Sequence, residues 1–304
     1  MTVCDISVVI PTYQRTDDLL LAIEKIQQCE PQPSEIIVHI DFGDQVTEAA
    51  LQAVVEQYNI VIIQSDHRVG PGGGRNKGIH IAKNELVASF DDDSYPIDLD
   101  YFARLLELFE RFPNAAVIGA AIFHQNETIT VDKALVYQEH FFVGCGCAYR
   151  KQVFLEMRGY VELPVAYGME EVDLSLRLYD ANWKVLISPW LRVYHNTTLT
   201  HHTKPKITAA SISNQILLMY LRYPVTLWWI GFGQALSRII WLIKHQRFAG
   251  ILSGIINIPS LIYQNKKDRF TVKAETLKSF LVLKRNPVME NFDRQINGVI
   301  SNEK

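Results

Sequence analysis

Through the first two thirds of the chain, short apolar runs alternate with segments whose apolar residues recur every three or four positions. Residues 6–10, 35–40, 60–64 and 86–90 are brief and closed by Pro or polar side chains, so they read as strands buried on both faces. Residues 16–28, 46–57, 76–82 and 101–112 read as helices. In the first of these, Leu19, Leu20, Ile23 and Ile26 form the apolar stripe, Asp17 and Asp18 suit the positive end of the dipole, and Thr16 is the expected cap. Alternation of this kind predicts right-handed crossovers and a largely parallel α/β sheet. After a strand at 115–122 the rhythm lapses. Residues 141–149 carry Gly144 and Gly146 and read as a strand that something approaches closely. In residues 168–178 the alternation of Val172, Leu174, Leu176 and Leu178 does not settle helix against strand, but helix formers dominate and would put Glu170 and Glu171 in a first turn. Residues 183–187 and 191–194 read as two short strands, the second ending at His195.

From about residue 207 the texture changes to long apolar tracts. Lys and Arg outnumber Asp and Glu by 14 to 5 over residues 206–304, against 16 to 28 over residues 1–205, so the net charge of −3 hides two halves of opposite sign. Residues 207–264 hold no Asp or Glu. The longest uncharged run, 248–265, is interrupted by polar residues and makes a poor membrane span. The tail is therefore expected to lie in the membrane interface, with Trp228, Trp229 and Trp241 at headgroup level. An ordinary packing domain or dimer face is the other reading. Its charges sit in apolar tracts rather than clusters, which argues against nucleic acid. Four cysteines in 304 residues make no disulfide framework, Cys145 and Cys147 are too close for the usual paired zinc ligands, and a reducing, cytoplasmic setting is favoured. The N-terminus lacks a signal-peptide pattern.

The chemistry concentrates where the run 86–90 ends in Asp91, Asp92 and Asp93. Ligands of parallel sheets sit at the carboxyl ends of strands, and three adjacent carboxylates repel unless a cation neutralises them. Asp91 and Asp93 have the spacing for one hard divalent ion. That reading requires both to face a cavity and to be free of arginine or lysine partners. The plain alternative is a solvated turn capping a helix that begins near Ile97. Residues 70–76 read as a glycine loop ahead of a helix, either a phosphate cradle with Arg75 or a tight turn. Glu170 and Glu171 are helix-capping acids or a catalytic base. His195 alone is a structural residue or a ligand, and His201 and His202 carry little weight.

Four segments in order, Ser7-Val8-Val9-Ile10-Pro11-Thr12-Tyr13-Gln14-Arg15, Arg75-Asn76-Lys77-Gly78-Ile79, Phe90-Asp91-Asp92-Asp93 and Glu170-Glu171-Val172-Asp173-Leu174, resemble the motifs of family 2 glycosyltransferases with the GT-A fold. The resemblance implies a nucleotide-diphosphosugar transferase with a Rossmann-like, mostly parallel sheet over residues 1–205 (nucleotide-sugar half 1–95, acceptor half 96–205), and a basic helical membrane-associating extension over 206–304. It implies Mg2+ or Mn2+ held by Asp91 and Asp93, with Asp93 the more direct ligand and His195 assisting. Pro11, Tyr13, Arg15, Asp41, Gly73, Arg75, Asp91 and Asp92 then form the donor-contact set. The catalytic base is Glu171 or Glu170, since the usual Glu-Asp pair is here Glu-Glu. Asp44 is left without a role.

The expected function is inverting transfer from a nucleotide sugar, UDP-linked for preference, to a lipid-linked or surface polysaccharide on the inner face of the membrane. A homo-oligomer is compatible with this. The rivals are a sugar nucleotidyltransferase, disfavoured because Pro11-Thr12-Tyr13 stands where a basic glycine loop is needed, and a non-catalytic scaffold binding sugar nucleotide or membrane.

Overall fold

The computed structural model describes residues 2–163, 165, 167–197 and 204–291. His201 and His202 lie outside the described residues. In chain order the elements are β1 (Val3–Thr12), α1 (Thr16–Gln27), β2 (Gln32–Ile40), α2 (Gln45–Gln52), β3 (Ile60–Gln64), α3 (Gly70–Ile81), β4 (Leu86–Phe90) and β5 (Ser94–Pro96). There follow α4 (Tyr101–Arg111), β6 (Ala115–Phe123), β7 (Leu135–Gln138), β8 (Gly146–Arg150), α5 (Lys151–Glu156), α6 (Glu170–Asp180) and β9 (Lys184–His195). The extension holds α7 (Pro205–Arg222), α8 (Trp228–Lys244), α9 (Ile251–Ile256), α10 (Ile258–Asn265), α11 (Ala274–Leu283) and β10 (Val288–Asn291).

The strands form one sheet in the order β10-β7-β9-β6-β8-β4-β1-β2-β3, with β5 paired to β9. The block β3-β2-β1-β4 is parallel throughout, as is β6 with β9, while β8 runs antiparallel between β4 and β6. Alternate residues of β1 enter opposite cores: Val8 and Ile10 meet α1 and α4, while Val9 meets α3, α5 and α6. Helices thus cover both faces of the sheet, as the GT-A expectation requires.

Several local expectations change. Helix α2 ends at Gln52 rather than at 57, and β8 begins at Gly146 rather than at 141. Residues 183–194 form one strand, because β9 runs through Pro189 by slipping register against β6, a bulge that spares the ladder a missing N–H. The cap position of α1 is Arg15, not Thr16, whose hydroxyl instead meets Thr47. Residues 70–74 are not a loop: α3 starts at Gly70. Its first N–H groups are satisfied from outside, Val69 and Gly70 donating to the Asp41 carboxylate at 3.1 and 3.2 Å. The glycines let the helix lie against its neighbours. A Cβ at Gly74 would stand 2.5 Å from the His39 ring and 3.0 Å from Pro11.

The extension is joined to the sheet region through apolar and ionic contacts. Leu217, Leu221, Leu277 and Phe280 share a core with Met169 and Leu176. At its centre Asp173, fully buried, accepts hydrogen bonds from Arg177 at 2.6 and 2.9 Å and from Arg222 at 2.5 and 3.2 Å. Burial alone would raise the Asp173 carboxyl, but the two guanidiniums outweigh it and hold it below the usual carboxylate range. Arg222 also donates to the carbonyl of Asp268 at 2.6 Å, so one residue ties α6, α7 and the chain after α10. Finally, β10 adds itself antiparallel to β7, with Lys184 and Glu290 paired at 2.5 Å.

Replacing Asp173→Asn strands two buried guanidiniums without a counter-charge and is expected to cost about 3–5 kcal/mol in urea denaturation. A loss below about 1 kcal/mol, the range of an exposed pair, refutes that account.

Candidate active site

Strand β4 delivers Asp91, Asp92 and Asp93 into a turn that is fastened on two sides. The Asp91 N–H donates to Ser94 Oγ at 2.8 Å, Ser94 Oγ donates to the carbonyl of Cys145 at 2.7 Å, and the Asn196 N–H donates to the carbonyl of Asp93 at 2.8 Å. The triplet is therefore wedged between β9 and the turn before β8. Arg75 reaches it from α3, fully enclosed: Nε donates to Ser89 Oγ at 2.8 Å, one terminal nitrogen pairs with Asp91, and the other lies 3.8 Å from Glu170 Oε1. A Cβ at Gly144 would stand 3.1 Å from the Arg75 guanidinium and 3.2 Å from Glu171 Oε1, so a larger residue would press on both.

The site is rich in carboxylates held under tension. Glu170 is buried with Oε2 lacking any partner, and burial, with Glu171 adding repulsion, pushes its carboxyl up to about 8 despite Arg75. Burial raises Glu171 as well. Burial lifts Asp92 to about 7 against the pull of Arg15, although Thr12 donates to it at 2.9 Å. For Asp93 burial is again the largest influence and acts upward, but His195 and Arg15 together hold it below the usual range.

Both outer carboxylates carry arginine partners, the condition the ion reading asked them not to meet. Asp91 pairs with Arg75, and Asp93 meets Arg15 through Oδ2 at 2.7 Å and His195 Nε2 through Oδ1 at 3.1 Å. With both its oxygens taken, Asp93 is not placed as the direct ligand expected for it. Yet five acids, Asp91, Asp92, Asp93, Glu170 and Glu171, converge on two guanidiniums, Arg15 and Arg75, and the imidazole of His195. The Asp91 side chain remains a third exposed, and Asp91, Cys145 and His195 each offer a ligand atom within 4.8 Å of the others. A carboxylate, an imidazole and a residual negative charge suit a divalent ion sharing Asp91 with Arg75.

The remaining expected donor contacts lie along the ends of β1 and β2. Pro11 is buried beneath α3, and Tyr13 is half-buried with the Arg68 guanidinium 4.0 Å over its ring. Asp41 spends its oxygens on the backbone of Phe42, Val69 and Gly70. Gly73 sits in the first turn of α3 facing Val69, away from the acidic cluster. Asp44 gains a role: it caps α2 through the Thr47 N–H at 3.2 Å and receives the Gln14 N–H at 2.5 Å, pinning the loop that presents Arg15. Sequence reasoning missed Cys145, Ser89 and Ser94. Their only signal was position beside Gly144 or on the strand of the triplet.

A parallel β3-β2-β1-β4 block, an acidic turn at a strand end and paired glutamates at a facing helix make up the arrangement of the GT-A fold. The chain matches the description of the glycosyl transferase family 2 over residues 7–137. It is similar to the glucosyl-dolichyl phosphate glucuronosyltransferase of Haloferax volcanii, 21% identical over 218 residues that cover 62% of this chain and 68% of the relative. Among solved structures it resembles a mannosyltransferase from Pyrobaculum calidifontis in complex with GDP-Man and Mn2+, with a TM-score of 0.58 and 12% identity over 93% of this chain and 87% of that one. It also resembles GalNAc-T7 with UDP, GalNAc and Mn2+, with a TM-score of 0.59 and 15% identity over 72% of this chain, and spans about half, 48%, of that protein's length.

His39, wholly buried beneath α3, bonds Ser65 through Nε2 at 2.7 Å and leaves Nδ1 without a partner. Burial lowers its pKa from 6.5 to about 4, so between those values the unfolded chain binds the proton that the folded chain refuses. Stability should therefore fall as pH drops through that window, by up to about 3 kcal/mol. Denaturation of His39→Gln across the same range should show a shallower slope, and an unchanged slope rejects His39 as the cause.

Proposed function

We propose that the protein is an inverting, metal-dependent glycosyltransferase that moves a sugar from a nucleotide-diphosphate donor to a hydroxyl of a lipid-linked or polysaccharide acceptor. The observation that carries this is the meeting of Glu170 and Glu171 with Arg75 and Asp91 across Gly144. It brings candidate bases of raised pKa next to the charges that face a departing diphosphate.

In this reading a divalent ion, held by Asp91 and His195, supplies Lewis-acid neutralisation of the leaving diphosphate. Arg15 and Arg75 orient the phosphates, and Tyr13 and Asp41 border the nucleotide end. The carboxylate of Glu171 accepts the proton of the acceptor hydroxyl as it attacks the sugar from the face opposite the diphosphate. Glu171 is preferred to Glu170 because it keeps some contact with solvent, whereas Glu170 is enclosed against Gly72. A single proton-accepting carboxylate on the acceptor side is the requirement of a one-step displacement with inversion. A UDP-sugar is the first donor to test, and a lipid-linked acceptor accords with the activity named for the archaeal relative.

The extension would bring the enzyme to that acceptor. Among the described residues no helix is long and apolar enough to cross a membrane. Helix α8 instead leaves an outward row of Trp229, Phe232, Leu236, Ile240 and Ile243, continued by Phe248 and Leu252. Arg238, Lys244 and Arg247 flank the row, the pattern of a helix lying on an anionic lipid surface. Trp228 turns inward instead, its indole N–H donating to the Tyr223 carbonyl at 3.2 Å.

A hydrolysis screen of UDP-, GDP- and dTDP-sugars with Mn2+ and with chelator tests the catalytic reading, expecting one donor class cleaved and chelation abolishing cleavage. Glu171→Gln should reduce transfer about 10²- to 10⁴-fold with the fold retained; a larger effect from Glu170→Gln reassigns the base. Replacing Trp229, Phe232 and Leu236 by Ser should weaken sedimentation with anionic vesicles. Point changes are needed because α7 shares the core of α6, so deletion from residue 206 would disturb both. Unaltered vesicle binding excludes this face.

A further inference from the structure

The thiol nearest the acidic turn is aimed at it. Cys145 is buried, and its Sγ lies 3.7 Å from His195 Nδ1. The other ring nitrogen of His195, Nε2, faces Asp93 Oδ1 at 3.1 Å. When the ring is neutral, the Asp93 carboxylate keeps its N–H on Nε2, which leaves the lone pair of Nδ1 toward Cys145. Metal-bound histidines show this arrangement as a rule, the second nitrogen donating to a carboxylate that does not itself touch the ion. The spacing agrees. An ion binding sulfur and imidazole nitrogen tetrahedrally at ordinary distances sets them about 3.6 Å apart.

We propose that Cys145 binds the divalent ion together with Asp91 and His195, that Asp93 positions His195 rather than ligating, and that the site therefore favours borderline transition metals over Mg2+. The proposal rests on the metal reading given above and assigns its ligands. On binding, the thiol loses its proton to solvent and a metal–sulfur bond forms, with no change of oxidation state. Magnesium prefers oxygen ligands in octahedral array and gains little from sulfur, whereas Co2+ and Zn2+ gain from both thiolate and imidazole. Cys147, two residues on, is committed elsewhere, to the Tyr149 hydroxyl at 3.0 Å and the Gly144 carbonyl at 3.7 Å. Only one of the two close cysteines therefore serves the site, so their spacing as a pair does not bear on it.

The test is titration of the full-length protein with Co2+ under anaerobic conditions, followed by absorption and calorimetry. The expected result is one bound Co2+ with a near-ultraviolet sulfur-to-cobalt charge-transfer band. The band should vanish in Cys145→Ser and persist in Cys147→Ser, and excess Mg2+ should fail to displace the ion. Asp93→Asn should keep the band while weakening Co2+ binding about 10- to 100-fold, as loss of an orienting carboxylate does. Binding without the band, or a band that survives Cys145→Ser, overturns the role of Cys145 and leaves the metal reading standing. No binding of Co2+ or Mn2+ overturns both. Should Cys145→Ser not fold, X-ray absorption of the cobalt-loaded parent decides instead: a sulfur neighbour supports the proposal and its absence refutes it.

Discussion

One enclosed guanidinium sets the terms for the whole site. Arg75 gathers Ser89 from the central strand, Asp91 from the turn after it and Glu170 from the facing helix, at a crossing where Gly144 is in close contact. Without that charge, acids from two separate segments would face each other across a poorly hydrated gap. With it, they stay close but under-neutralised, which keeps them receptive to further positive charge and to protons. The packing of α3 against β1 and β2, with glycine where Cβ atoms would collide, brings Arg75 to this position.

Helix α6 carries two unlike groups one turn apart. Its first residues are glutamates whose environment resists ionisation, whereas Asp173 is held ionised between Arg177 and Arg222. The second group fastens the helix to the extension, so the reactive end is positioned by elements far along the chain. The extension is in this sense part of the support for the proposed chemistry.

Most of the architecture was legible because it follows periodicity: the strand–helix alternation through β4, the helix carrying Glu170, and the polarity of the tail all appear as expected. The departures have identifiable physical causes. Residues 70–74 looked like a loop because glycine is a poor helix former; a distant carboxylate, Asp41, supplies the missing cap, and no local pattern reports that. Strands β5 and β7 are short and are paired by distant strands, β9 for both and β10 for β7, so propensity gives them no signal. Asp91, Asp92, Asp93, Arg75, Glu170, Glu171 and His195 were brought together as anticipated. The pairing of the outer acids with arginines was not, since Arg15 is 78 residues from Asp93 in sequence. Cys145 was weighed only as one of a pair with Cys147, because its neighbour in space, His195, is 50 residues away.

Strand β10 has an effect on handling as well as on architecture. It occupies the outer side of β7, so the sheet on that flank ends in a four-residue strand from the far end of the chain. Shortened versions that stop before Val288 would make β7 the edge and take the Glu290 partner from Lys184, leaving a differently charged rim open to association between molecules. Affinity tags are accordingly better placed ahead of β1 than spliced in near residue 288, and the boundaries chosen for expression become a determinant of solubility.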